Sequence, residues 1–212
     1  MTPHGTEPGE MTFLAGQRRI GSASAPDTPI FLGQMMTRLR TDGERYNQVA
    51  RLLHWMMAAL VTGNILGGLL NDSLKDTINL IPLHKSIGLT VLVLTIARIA
   101  WRFTWQAPPY PPAMEAWQIM AARGVQGAFY GLMLAMPLTG WVMASAGKYP
   151  LTWFGLFDVP KLAVARDSAL YLTSRQGHEV LGYLFAALVA VHVAAALRHH
   201  LILKDRVLER ML

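Results

Sequence analysis

Cysteine is absent from all 212 residues. That excludes disulfides, thiolate-held iron–sulfur clusters and any cofactor attached covalently through a cysteine motif. Charge is scarce as well. Asp, Glu, Lys and Arg make up 15% of the chain against 52% hydrophobic residues, with a mean hydropathy of +0.30. A soluble domain needs more polar surface than this, so lipid is the solvent the composition suits. Acid is scarcer than base, 13 residues against 19, for a net charge of +6. Such a balance can mark nucleic-acid binding, but Arg45, Arg51, Arg98, Arg102, Arg198, Lys204, Arg206 and Arg210 flank apolar runs instead of lining one soluble face. The basic excess therefore reads as membrane orientation, with no nucleic-acid partner. Residues 1–44 lack the sustained apolar core of a secretory signal and are rich in Gly, Pro, Thr and charge, so a disordered cytoplasmic tail is expected there. Met35 and Met36, just ahead of Thr37, leave room for a later native start.

What the chain does have is four apolar stretches, Gln48–Leu70, Leu83–Phe103, Ala121–Ala146 and His178–Leu201. Each is long enough for a hydrocarbon core that takes about 20 helical residues. Backbone groups in lipid must be satisfied internally, which makes these stretches helices and predicts an all-α bundle of four transmembrane spans over residues 45–212. Pro137 inside the third should bend it without ending it. Short connections, punctuated by Pro82 and by Pro108, Pro109, Pro111 and Pro112, make neighbours antiparallel. The segment from Gly147 to Gly177 carries Trp153, Phe154, Phe157 and Tyr171 among polar residues and suits a cap at the interface better than a fifth span. Basic residues near the helix ends place both termini on the cytoplasmic side. Lys75, Lys85, Lys148, Lys161, Arg166 and Arg175 nonetheless leave a basic outer surface able to attract an anion.

Four of the seven histidines, His54, His84, His178 and His192, fall inside these spans or at their edges. Ionisable residues inside a membrane are rare and usually functional, although a single one could equally serve an interhelical hydrogen bond. His178 and His192 are 14 residues apart, nearly four turns, so they share a face with about 21 Å of rise between them. Antiparallel threading then sets His54 at the inner depth of His192 and His84 at the outer depth of His178. Two opposed imidazoles with apolar walls suit the iron of a planar macrocycle, which supplies the other four ligands. Zinc suits them poorly, since it takes three or four protein donors and neither pair has acidic or thiol neighbours to complete the set. Glu179, the nearby carboxylate, projects about 100° away from His178. Gly63, Gly88, Gly140 and Gly182 would give room for a flat group, or equally for close helix packing. His199 shares the face of His192 but falls near the membrane exit, where a solvated histidine is expected.

The residues Arg45-Tyr46, Leu53-His54-Trp55, Leu83-His84-Lys85-Ser86-Ile87-Gly88, Pro137-Leu138-Thr139-Gly140-Trp141, Gly177-His178-Glu179 and Val191-His192-Val193-Ala194-Ala195 together resemble the bacterial cytochrome b561 family, whose members include inner-membrane superoxide oxidases. The resemblance covers Arg45 to Leu212. It implies a bacterial inner-membrane cytochrome with two haems b, non-covalently bound, whose iron is held by His54 and His192 at one level and by His84 and His178 at the other. It further implies superoxide as electron donor on the outer side and ubiquinone as acceptor. Where some relatives carry a further histidine near the start of the third helix, this chain has Arg123 and Gln126.

If both irons carry two histidines, neither has an open position, so the chemistry is outer-sphere electron transfer. Lys85, beside His84, and Lys148 are the candidates for drawing in the anion, with propionate pairing or plain solvation as their other roles. Trp153 and Phe154 are candidates for the wall of a quinone cleft beside the outer haem, or simple interfacial anchors. Two other functions fit the same chain. One is a cytochrome b subunit serving a membrane-attached hydrogenase or dehydrogenase, which would bring a peripheral redox partner. The other is a haem-free structural or transport bundle.

Overall fold

The computed structural model describes residues 45–110, 114–205 and 207–212. The tail expected over 1–44 and the alternative start at Met35 or Met36 lie outside the described residues. Four long helices dominate: α1 (Gln48–Leu74), α2 (Ile81–Thr104), α3 (Ala116–Ser145) and α4 (Ala169–Arg198), the last continued by a π-helical turn, His199–Leu203. All four are long and apolar enough to cross a membrane. A two-stranded hairpin, β1 (Thr152–Trp153) and β2 (Phe157–Asp158), lies between α3 and α4, and a 3₁₀ turn at Leu208–Met211 ends the chain. The architecture is an all-α, four-span membrane bundle.

Three of the four helices start on a side-chain cap, and α2 starts on a proline. The Asn47 side chain accepts from the Ala50 amide at 2.8 Å, and Ser168 accepts from Tyr171 at 3.3 Å. Glu115 and Gln118 exchange bonds in a capping box, and Pro82 occupies the first turn of α2, where its missing N–H costs nothing. These caps explain why α3 and α4 begin earlier than their apolar stretches, at Ala116 and Ala169. A hydropathy window ends at the lipid boundary, whereas a capped helix runs on into the interface. α3 passes through Pro137 without a break.

Apolar side chains point outward as well as inward. Leu66, Val93 and Val191 are 52%, 65% and 63% exposed, a pattern that water would penalise and lipid does not. The small interior core is Met57 and Val61 from α1, Val91 from α2, Met133 from α3 and Phe185 from α4. α2 packs along α1 and α3, and α4 along α3, while α1 and α4 touch at few points.

The C-terminal turn, Tyr46 and Pro109 close one end, here the lower end. The Tyr46 amide donates to Arg210 O (3.1 Å), the Trp55 indole to Met211 O (2.7 Å) and the Arg210 guanidinium to Pro109 O (2.6 Å). At the upper end the hairpin is fastened to α2. Ser86, 2% exposed, donates to Pro82 O (3.0 Å) and accepts from the Phe154 amide (2.9 Å), and the Trp153 indole donates to Thr90 (3.0 Å). Positive φ at Phe154 (49°) and Gly155 (73°) turns the hairpin.

Candidate functional site

The histidines from separate helices meet at two levels. At the lower one, the ring centroids of His54 (α1) and His192 (α4) are 6.3 Å apart with planes at 72°. At the upper one, those of His84 (α2) and His178 (α4) are 6.1 Å apart at 77°. The core of Met57, Val61, Val91, Met133 and Phe185 comes from the stretch of each helix between the two levels. His54, His84 and His178 are half-buried, and His192 is exposed.

The upper rings are held by hydrogen bonds that fix which nitrogen is free. His84 Nδ1 lies 3.1 Å from Asn64 O. A carbonyl only accepts, so Nδ1 carries the proton and Nε2 keeps its lone pair. His178 Nδ1 lies 3.0 Å from Thr139 Oγ1, whose single hydrogen is directed to Ala135 O and Met136 O, both at 2.9 Å. The hydroxyl therefore accepts, and His178 too has Nε2 free. Both are the arrangement that orients a metal-binding imidazole. At the lower level the His192 ring packs edge-on to Phe129 at 5.1 Å, and neither His54 nor His192 has a hydrogen-bond partner among the described residues.

Two glycines make space for the upper rings. A Cβ on Gly68 would lie 3.0 Å from His84 Cε1, and one on Gly140 would lie 3.3 Å from His178 Cε1. Gly140 was among the glycines expected to open space. Of the others, Gly88 packs against Asn64, Gly182 against Met136, and Gly63 meets nothing within 4 Å. Gly68 escaped the sequence reading, yet a signal for it exists. It stands 14 residues after His54, the spacing between His178 and His192, so α1 turns to the upper level the face that carries histidine at the lower one. Asn64 and Thr139 had no such signal, because a backbone carbonyl and a threonine in an apolar helix are not distinctive.

The geometry fits an iron-bound macrocycle. Two imidazole nitrogens each about 2 Å from a first-row metal, with the ring centre roughly 1.1 Å further on, put opposed centroids about 6.3 Å apart. Among the described residues no three His, Cys, Asp or Glu side chains converge on one point, so a four-coordinate protein-only site has no ligand set here. A group that brings its own four nitrogens needs only the two imidazoles supplied at each level.

Of the other candidates, Lys85 is half-buried and close enough to His84 to act on it electrostatically, and Lys148 is exposed in the loop after α3. Neither has an ion-pair or hydrogen-bond partner among the described residues. Lys161 and Arg166, by contrast, are tied to loop carbonyls: Lys161 to Gly147 O (2.5 Å) and Arg166 to Ala146 O (3.1 Å). Trp153 stacks on Phe157 at 5.3 Å, and its N–H is already spent on Thr90. His199 turns to Asp205 through Nδ1.

Residues 45–212 match the family model described as prokaryotic cytochrome b561. Among curated relatives, cytochrome b561 homolog 2 of Escherichia coli K12 is 33% identical over 174 residues, covering 80% of this chain and 92% of that protein. Cytochrome b562 of Cereibacter sphaeroides is 29% identical over 175 residues (79% and 94%). The probable superoxide oxidase CybB of Yersinia pestis is 27% identical over 173 residues (80% and 96%). Matched along its whole described bundle, the chain belongs to the prokaryotic cytochrome b561 family, multi-pass membrane proteins that bind haem b and transfer electrons.

Proposed function

We propose that this protein is a superoxide:ubiquinone oxidoreductase of the bacterial inner membrane, holding one haem b between His54 and His192 and a second between His84 and His178. The observation that carries the reading is the pair of facing imidazoles at 6.3 and 6.1 Å. When bound between these histidine pairs, each haem would supply a one-electron couple for outer-sphere electron transfer. Two superoxide anions each give up one electron to become dioxygen, and ubiquinone takes two electrons and two protons to become ubiquinol.

The protein's own residues orient the reaction. Of the described basic residues, eight (Arg45, Arg51, Arg98, Arg102, Arg123, Arg198, Lys204, Arg210) belong to the lower end of the spans and six to the other. That bias supports a cytoplasmic lower end. The upper end then faces outward, and there Lys85, next to His84, and Lys148, in the loop after α3, are cations without a partner among the described residues. A small anion is concentrated by such a field. Trp153, with its N–H engaged, serves a quinone as an apolar wall and not as a donor. The relative named as a probable superoxide oxidase supports the choice of donor.

The direct test is to reduce the purified protein with superoxide and then add ubiquinone. Haem reduction followed by reoxidation is expected, and failure of either step at normal haem content removes this assignment. Replacing Lys85 and Lys148 together with Gln should slow superoxide-driven reduction about tenfold and flatten its dependence on ionic strength. An unchanged rate and salt dependence would show that the two lysines play no part in attracting the donor.

The hydrogen bond from His178 to Thr139 makes a second expectation. Donation of the Nδ1 proton raises the basicity of the imidazole and favours the oxidised iron. Thr139→Val should raise the potential of the upper centre by about 20–60 mV, the equivalent of one net hydrogen bond in a one-electron couple. The lower centre should not move. A redox titration resolves both.

A further inference from the structure

The lower level contains a charged group that the histidine pairs leave unexplained. Arg98 lies within α2, half-buried, and close enough to His54 to act on it electrostatically. Arg102, Arg123 and Arg210 each lie over an aromatic ring, of Trp105, Tyr110 and Tyr46 respectively, at 6.0, 5.7 and 6.0 Å. Arg98 has no such ring and no ion pair among the described residues. A guanidinium inside a span without an anion is costly, so it needs a counter-charge.

The fourteen-residue register shows where Arg98 points. Arg98 follows His84 by 14 residues on α2, and Gln126 precedes Gly140 by 14 on α3. The faces that present His84 and Gly140 to the upper level therefore present Arg98 and Gln126 to the lower one. The two residues line one small cavity, of about 30 Å³, together with Ala50, Trp101, Arg102, Trp105 and Tyr130. Ala50 is one turn from His54 on α1, which sets the cavity on the Tyr46 side of that level. Trp105 Nε1 is buried without a hydrogen-bond partner among the described residues, and Gln126 has none either. Tyr46, edge-on to Trp105 at 5.9 Å, and Met211 close the cavity toward the lower end.

The unpaired guanidinium of Arg98, the unpaired indole N–H of Trp105 and the side-chain amide of Gln126 thus line one cavity at the lower level, with Arg102 beside them. Two guanidiniums, an indole N–H and an amide N–H, with no acid among the lining residues, are complementary to a carboxylate. We infer that Arg98, Trp105 and Gln126 form a carboxylate site that takes a propionate of the haem held by His54 and His192. The inference rests on the two-haem reading above. It gives the chain an asymmetry between its centres: the upper one is positioned through the Nδ1 bonds of its histidines, the lower one through its acid side chain.

The test uses full-length protein carrying haem labelled with ¹³C in its carboxyl carbons, read by redox-difference infrared spectroscopy and by redox titration. In Arg98→Met the label-sensitive carboxylate bands of the lower centre should shift, and its potential should fall, because a cation that favours the reduced state is gone. The upper centre should keep both its bands and its potential. Trp105→Phe, which keeps the ring and removes one donor, should shift the same bands at full haem content. Arg98→Lys should restore the potential more fully than the band positions, since an ammonium keeps the charge and loses the fork. Should Arg98→Met fail to fold, Trp105→Phe decides alone. Label-sensitive bands unmoved in the variants that fold, with two haems still bound, overturn the carboxylate site and leave the haem pairs standing. Fewer than two haems in the unaltered protein overturns the underlying reading instead.

Discussion

His192→Ala is expected, on the proposed two-haem reading, to bind one haem instead of two, with the b-type difference spectrum reduced to about half its amplitude. Even partners that merely orient a metal-bound imidazole are worth about 10–100-fold in affinity, and the ligand itself is worth more. The pairing makes a sharper statement than the count. His54→Ala should remove the same centre as His192→Ala, because these rings face each other at 6.3 Å, and combining the two should remove nothing further. His84→Ala and His178→Ala should remove the other centre. His178→Ala combined with His192→Ala should leave none, because α4 supplies one imidazole to each level. Spectra and extracted haem from the four single variants and the two doubles decide the matter. If His54→Ala and His84→Ala abolished the same spectral component, the two-level arrangement would be wrong.

Gly68→Leu should cost the proposed upper haem while leaving all four histidines in the sequence. An added Cβ would lie 3.0 Å from His84 Cε1 and 3.3 Å from Nδ1, closer than side-chain carbons normally approach, and the branched remainder of leucine has to pass through the ring. The ring is held on that side by Asn64 O at 3.1 Å, so it cannot yield without breaking the bond that keeps Nε2 in place. Forcing a larger side chain into a packed site costs about 1–3 kcal/mol, and here the strain falls on a ligand's orientation. Gly68→Ala, which asks the ring to give by only a few tenths of an ångström, should keep the haem and shift its potential. Gly124→Leu is the control, since nothing lies within 4 Å of its added Cβ. Full retention of both centres in Gly68→Leu would mean that the His84 position is not critical for binding.

Much of this arrangement could be read before any coordinate was known, for reasons that differ from one feature to the next. The spans were legible because lipid demands about 20 apolar residues and internal backbone hydrogen bonds, both local properties of sequence. The two levels were legible because helical periodicity turns the 14-residue interval between His178 and His192 into a face and a depth. Helix ends were less so. α4 begins at Ala169 on the Ser168 cap, well before the apolar stretch at His178, because a cap obeys hydrogen bonding and not hydropathy. The supporting residues were the least visible. Thr139 matters through the single direction of its hydroxyl hydrogen, Asn64 through a main-chain oxygen, and Gly68 through a side chain it does not have.

The sequence by itself therefore determined the solvent, the number of crossings and which histidines share a depth, since each of these follows from composition and the pitch of one helix. Only the tertiary structure decided which nitrogen of each upper imidazole is free, which glycine makes way for it, and that Arg98, Trp105 and Gln126 line one cavity at the lower level. Those depend on how separate helices are rotated against one another, and rotation is fixed by packing across the bundle, which no single helix encodes.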